Sequence, residues 1–439
     1  MTNKVYSFSR GGIVFHDSSV PSRDSAAIAF LPSVSVIPLI QHSGLPAIPT
    51  VSAGDTVREG MLIGRAQGSF SANVHSTVPG KVVKIASWRS SGDQVQEGIV
   101  IKLEGSFEKL GKAEEVHTWE GLLSHDIQRY ISEYGVVEMD GPGRPVSDII
   151  SSVRNSSQMV TLIVRCVFDD PWLISDYVLC KERARAVMEG AAIAARSCQA
   201  SRIIIAVSKK EKELGDILLK AGSNWGMPVD SVLVSSCYPQ RNRRELEFAL
   251  RIFAKNEGME LGSTVIFSPA TLTAVHDAVK LRKPAMERYI AVGGTAVKNP
   301  RILKVRIGTR IRDVFDECGG FKSRPKKIAT GSPFLGRAVY DLDEPVTKNC
   351  FAVFANTQIQ SRNSSGIFSS CIGCGECRAV CPIGLDPEEH YKRILLNSKN
   401  AGTVSSSLMD CHGCSCCELV CPSGLPLSAG IISSLMRVS

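Results

Sequence analysis

Two runs near the C-terminus, Cys371–Pro382 (CIGCGECRAVCP) and Cys411–Pro422 (CHGCSCCELVCP), share the spacing C-x-x-C-x-x-C-x-x-x-C-P. In each run three thiols sit in one short loop, where each can reach a different metal atom. The fourth lies beyond it and is followed by a proline, which stops the chain from continuing as a helix. Gly373, Gly375 and Gly413 fall inside the loops, where a backbone without Cβ can wrap closely round an inorganic core. The fourth thiol of each run reaches across to the other, which predicts a C-terminal unit of two interlocked metal-binding halves.

This is the spacing of bacterial ferredoxins, in which three thiolates of one run and the fourth of the other hold each [4Fe–4S] cluster. The expected sets are Cys371, Cys374, Cys377 and Cys421 for the first cluster, and Cys411, Cys414, Cys417 and Cys381 for the second. Zinc is the competing reading, since four cysteines can also close a tetrahedral site, although zinc sites usually come as separated C-x-x-C pairs. Cys416, inside the second run, is adjacent to Cys417; two neighbours cannot easily both ligate, so it reads as a bystander.

Working outward, the 439 residues suffice for several domains, and the 44% apolar content is that of a globular protein. A net charge of +8 with few aromatics near basic clusters gives no nucleic-acid signature. Outside the cluster region the cysteines (Cys166, Cys180, Cys198, Cys237, Cys318 and Cys350) are scattered without framework spacing, which suits a reducing compartment. Met1 to Arg10 lacks the apolar core of a signal peptide. The best apolar stretch, Ala26 to Leu39, is broken by Pro32 and Pro38, so any membrane association is expected to be peripheral.

The pattern predicts an α/β multidomain chain. Residues 1–115 read as an N-terminal β-sandwich, with turns at Gly54-Asp55 and Pro79-Gly80. It resembles the lipoyl or biotinyl carrier sandwich, but neither turn carries the carrier-type lysine; Lys81 reads as an exposed strand residue, and His42 and His75 as structural. Residues 126–280 alternate strand and helix: strand from Gln158 to Val167, helix from Glu182 to Ser197, strand from Ala200 to Val207, helix from Lys209 to Ala221, strand from Val229 to Ser235. That alternation predicts a Rossmann-like parallel sheet with a ligand crevice beyond its strand ends. Tyr238-Pro239-Gln240 reads as an exposed turn. Residues 285–330 read as a β-grasp module with a helix from Arg310 to Cys318 stopped by Gly319-Gly320. Arg301, Lys304, Arg306 and Arg310 make it locally basic, either as a docking face or as a solvated one. Residues 360–439 hold the α-helical 2×[4Fe–4S] unit.

The whole order of parts resembles the C subunit of the Rnf electron-transport complex. The resemblance is carried by FSRGGIVFHDSS (Phe8 to Ser19), IPLIQHSGLPAIPTVSAGDTVREGMLIG (Ile37 to Gly64), ERYIAVGGTAVKNP (Glu287 to Pro300), DLDEPVTKN (Asp341 to Asn349) and the paired cysteine runs. It implies a barrel-sandwich hybrid domain at the N-terminus, a middle domain similar to the flavin- and NADH-binding subunit of respiratory complex I, and an SLBB-like β-grasp module. It further implies a peripheral subunit on the cytoplasmic side of the inner membrane, within an ion-translocating complex. The partners expected are the other subunits of that complex and a soluble ferredoxin- or flavodoxin-like carrier.

One stretch departs from the family. Its glycine-rich flavin loop, G-I-V-G-L-G-G-A-G-F-P, corresponds here to Gly135–Pro145, GVVEMDGPGRP, which keeps Gly135, Gly141, Gly143 and Pro145 but has Glu138 and Asp140 in place of glycines and Arg144 in place of phenylalanine. A phosphate cradle presents bare backbone N–H groups. Carboxylates obstruct it and repel the anion; at an effective dielectric of about 20, like charges ~4 Å apart cost ~4 kcal/mol. The family's N-G-A-E-C-E-P-Y is also altered, to Arg165–Trp172 (RCVFDDPW), retaining Asp170 and Pro171. The expectation is a chain that carries electrons through two [4Fe–4S] clusters and neither binds FMN nor oxidises NADH in the usual way. The alternatives are an NADH-oxidising subunit whose altered pocket uses Arg144, and a docking adaptor with structural clusters.

Overall fold

The computed structural model describes residues 4–68, 70–89, 95–105, 107, 115–154, 159–223, 225–332, 336–358, 370–396 and 410–436. Gln158, the expected first residue of the second domain's first strand, lies outside them.

The N-terminal region supplies β1 (Ala26–Ile28), β2 (Val34–Pro38), β3 (Ile48–Pro49), β4 (Thr56–Val57), β5 (Leu62–Arg65), β6 (Val74–His75), β7 (Gly80–Arg89) and β8 (Val95–Leu103). The antiparallel sheet β2-β8-β7-β4 accompanies a smaller sheet, β3-β5-β6. Alternating residues such as Ile37, Val82, Ile99 and Ile101 meet Ile63 and Val74 in one core. Lys81 stands exposed on β7 opposite Thr56.

The α/β region follows: α1 (Ser124–Glu133), α2 (Val146–Arg154), β9 (Val160–Cys166), α3 (Ile174–Glu182), α4 (Ala184–Cys198), β10 (Arg202–Ser208), α5 (Lys212–Gly222), β11 (Val229–Val234), α6 (Arg243–Asn256), β12 (Ser263–Phe267) and α7 (Pro269–Lys280). The sheet is parallel, in the order β11-β10-β9-β12. Strands covered on both faces need no polar alternation, and VTLIVRC and RIIIAVS are near-continuous apolar runs. The small residues of α4 allow close packing on α7, where a Cβ on Gly190 would lie 2.0 Å from the Leu272 carbonyl oxygen. Helix α6 covers the opposite face, packing Leu246, Leu250 and Phe253 over Ile204 and Val232. The strand order reverses beside β9, which places the ligand crevice outside the carboxyl ends of β9 and β12.

The third sheet combines β13 (Glu287–Gly293), β14 (Arg301–Arg306), β15 (Lys327–Thr330), β16 (Arg337–Ala338) and β17 (Ala352–Asn356) with β1, in the order β1-β14-β13-β17-β15-β16, and α8 (Ile311–Glu317) packs against it. It therefore draws in strands from beyond both ends of the expected span.

In the C-terminal unit, α9 (Glu376–Ala379) and α10 (Pro387–Leu396) are repeated as α11 (Cys416–Val420) and α12 (Leu427–Met436), with α9 against α11 and α10 against α12. This unit is clasped to the body by an N-terminal strap. The Tyr6 backbone extends the β11 edge, with Tyr6 N donating to Leu233 O at 2.9 Å. Gly12 N then donates to Val380 O at 2.9 Å, and Ile13 exchanges two 2.8 Å bonds with Tyr238. Asp17 accepts from the Trp172 indole at 2.8 Å. Tyr238 is 2% exposed, so Tyr238-Pro239-Gln240 is an inward-facing corner and not the expected exposed turn. Its hydroxyl donates to Cys414 O at 2.8 Å, which explains the burial. Among the described residues no helix is long and apolar enough to cross a membrane.

Candidate functional site

The two cysteine runs fold alike because their turns are alike: Gly373 and Gly413 adopt φ of 68° and 70°, and Gly375 and Ser415 follow at 76° and 62°. Each loop thereby turns its thiols inward. Cys371, Cys374, Cys377 and Cys421 line one small cavity, with Leu425 and Leu427 as its apolar wall. Cys411, Cys414, Cys417 and Cys381 line a second, beside Leu385 and Ile431. Backbone N–H groups point at the sulfurs, from Gly373 to Cys371 at 3.4 Å and from Leu385 to Cys381 at 3.3 Å. Such bonds stabilise thiolate character.

The donor set fits a cuboidal iron–sulfur group. Zinc requires four sulfurs at about 2.3 Å from one point, whereas here the thiols surround a volume. Among the described residues, no three His, Cys, Asp or Glu side chains are close enough to share one ion. Cys416 is fully buried and lines the second cavity as well, and Cys237 lies nearby in the body. The two cavities differ in setting. Cys371 and Cys374 are exposed, whereas the second loop meets the body through Tyr238, through Arg244 to Asp410 at 3.1 Å, and through His412 to Glu245 at 3.6 Å.

The α/β crevice is built from the loop Gly135–Pro145, held as a narrow arch by the bridge between Val137 and Pro145 and by Glu138 N donating to Arg144 O at 2.9 Å. Met139 lies across the strand ends: its N–H donates to Thr271 at 2.9 Å, and its carbonyl accepts from the buried Arg288 at 3.3 Å. The Asp140 carboxylate, 2% exposed, is gripped by Arg165 and by Arg241, the latter at 2.9 Å. Burial alone would raise the Asp140 carboxyl, but these two arginines outweigh it and hold it below the usual carboxylate range. Burial pushes the neighbouring Asp169 up to about 7, against the pull of Arg241. Glu138 is likewise raised, by burial first and by Asp140 second, and its Oε2 has no hydrogen-bond partner among the described residues.

These residues do not fit a flavin phosphate. The cations at the arch itself, Arg165 and Arg241, are already paired with Asp140, and Arg144 contributes its carbonyl to the arch; further out in the same cavity Arg243 and Arg244 are paired with Glu247 and Asp410, and Arg251 lines its far side. The surviving glycines serve packing. Gly135 has φ of 60°, and a Cβ there would lie 2.1 Å from the Asn73 carbonyl oxygen; Gly143 would meet His42 Cα at 3.0 Å. Of the three, Gly141 has no such close neighbour and joins Glu138, Asp140 and Pro142 in lining the adjoining cavity of about 670 Å³. Buried Lys348, lowered to about 8 by burial, donates to Gly135 O at 2.8 Å and to Asn73 O of the N-terminal region at 3.5 Å, and so ties the arch to that region. Arg241 and Lys348 could not be found from spacing, because each lies far in sequence from the loop it holds.

The basic residues of the third sheet are largely paired within the chain. Lys304 meets Glu287 at 2.7 Å, Arg306 meets Glu59 at 2.6 Å, and Arg310 meets Asp313 at 2.8 Å. Of the two readings open for this cluster, internal pairing leaves little free charge for docking.

Comparison with known proteins matches each part in turn. Residues 7–106 match the RnfC barrel sandwich hybrid domain, 131–251 the Nuo51 FMN-binding domain, 289–337 the SLBB domain and 367–425 the 4Fe-4S dicluster domain. The C subunit of the proton-translocating ferredoxin:NAD(+) oxidoreductase complex of Clostridium ljungdahlii is 30% identical, over 86% of this chain and 82% of the relative. The C subunit of the Na(+)-translocating ferredoxin:NAD(+) oxidoreductase complex of Acetobacterium woodii is 28% identical, over 81% of this chain and 80% of its own. A crystal structure of NAD+-reducing [NiFe]-hydrogenase in the H2-reduced state shares the fold, with a TM-score of 0.52 and 15% identity over 73% of this chain; the match spans 62% of the hydrogenase chain.

Proposed function

The chain belongs to the family of C subunits of ion-translocating oxidoreductase complexes, and from that premise we propose that it serves as a flavin-free electron relay within such a complex. The ligands are Cys371, Cys374, Cys377 and Cys421 for one [4Fe–4S] cluster, and Cys411, Cys414, Cys417 and Cys381 for the other. The observation that carries this reading is that each quartet, drawn from both runs, lines its own cavity. When bound, the clusters supply one-electron chemistry, and the chain supplies position and electrostatics. Backbone N–H groups hold the thiolates, the apolar walls exclude water, and Tyr238 fixes the second loop against the body.

The crevice takes no part in the relay, because Asp140 already holds the two arginines at the arch, and the isolated chain would not oxidise NADH. The partners are other subunits of the complex and a soluble one-electron carrier. The setting is the cytoplasmic side of the membrane, held peripherally; cysteine usage typical of a reducing compartment supports it. Anaerobically purified protein should contain about eight irons with matching acid-labile sulfide and no flavin. Stoichiometric FMN, reduced on addition of NADH, would overturn the flavin-free reading.

A further inference from the structure

We propose that the outer face of α6, together with the second cysteine loop, is the docking surface for a small acidic one-electron carrier protein of the ferredoxin type. This rests on the relay reading above. Helix α6 turns Leu246, Ala249, Leu250, Phe253 and Ala254 inward. Arg244, Phe248, Arg251, Ile252 and Lys255, at i, i+4, i+7, i+8 and i+11, form one outward stripe, whose Arg244, Phe248 and Arg251 also form one wall of the cavity beside the arch. Phe248 and Ile252 are 44% and 38% exposed, unusual for large apolar groups side by side on a helix, and cations flank them.

Position makes the stripe more than a solvated face. Its first residue bonds the residue preceding Cys411, since Arg244 reaches both the carbonyl and the carboxylate of Asp410. On the buried side of the same turn, Glu245 lies 3.6 Å from His412, which sits between two ligand cysteines. At 1.5 Å per residue, Phe248 is only about 6 Å further along the axis. A protein seated on Phe248 and Ile252 therefore covers the second loop.

Charge selects the partner. Glu247 and Asp410 are already occupied by Arg243 and Arg244. Arg251 and Lys255 are exposed, and no carboxylate partner for them is present among the described residues. A small apolar centre with a cationic rim is the form suited to transient redox encounters, whose interfaces are small and whose association is steered electrostatically. The exchange balances as one electron: the carrier is oxidised by one equivalent and this chain is reduced by one, with no bond or proton transferred.

The test uses the cluster-loaded full chain and a reduced, acidic 2[4Fe–4S] ferredoxin as probe, in stopped flow at several salt concentrations. Reduction should slow as salt rises. Arg251→Glu combined with Lys255→Glu should lower the low-salt rate roughly tenfold or more and flatten its salt dependence. Phe248→Ala should weaken saturation by ferredoxin while leaving the salt dependence in place. Reduction by dithionite, which needs no docking, should be unchanged in every variant. Equal ferredoxin rates in wild type and variants, with dithionite reduction intact, would overturn the docking surface alone. Clusters that dithionite cannot reduce would overturn the relay reading and the docking surface with it. Variants that lose co-purification with the membrane subunits but keep the ferredoxin rate would reassign the face to assembly, and so overturn the proposal.

Discussion

The C-terminal unit and the α/β crevice treat their binding positions in opposite ways. Around the two cavities of the C-terminal unit, cysteines from separate runs present donor atoms to a common space. At the arch of the crevice the donors are already occupied: Arg165 and Arg241 hold Asp140, Thr271 takes Met139 N–H, and Arg288 holds Met139 O. The lesson is that a binding loop is judged by whether its donors are free, not by how many of its glycines survive. Gly135 and Gly143 remain because the N-terminal sandwich leaves no room for a side chain, which would be true with or without a ligand.

The largest effect that would sharpen this contrast is on metal content. Cys417→Ser should remove one cluster, so that about four of eight irons are lost on analysis of the purified protein; full retention would break the ligand assignment. Asp140→Ala should act on stability. It leaves two largely buried guanidinium groups without their anion, and should cost roughly 3–5 kcal/mol in denaturant unfolding. Added phosphate should restore part of that loss, with no such effect on the wild type. Should the variant be as stable as wild type in plain buffer, the internal anion would not be holding the crevice. Gly135→Ala, at a left-handed position against a carbonyl, should lower stability by about 2–3 kcal/mol without changing iron content.

The smallest effect is on pH dependence. Asp169 titrates near 7 in the folded chain instead of near 3.8. The native state therefore binds more protons across that window, and this contribution to stability is complete below about pH 4 and lost as pH rises toward 7. Asp169→Asn should flatten that slope, and an unchanged profile would remove Asp169 from the account.

Much of this was legible in the chain. The cysteine spacing marked the thiol sets, the apolar runs gave the parallel sheet, and the two carboxylates of Gly135–Pro145 signalled that the flavin loop had changed. What those carboxylates now do was not legible. Asp140 pairs with Arg165, 25 residues away, and Arg241, 101 residues away, and only the fold brings them together. Helix α3 was missed because Pro171-Trp172-Leu173 leads into it through a single 3-10 turn, and its moderate polarity blends into α4. Tyr238-Pro239 carries the composition of a surface turn, yet a strap from the other end of the chain covers it.

That strap sets a dimension. At Gly11 an added Cβ would fall 2.6 Å from Val380 O and 2.9 Å from Cys381 O, so the strap lies against the end of the first cysteine run with no room for a side chain between them. Electron tunnelling weakens exponentially with distance. A single methyl group at Gly11 would therefore act as a spacer between the strap and Cys381, and would lengthen the path from the body to the cavity that Cys381 lines.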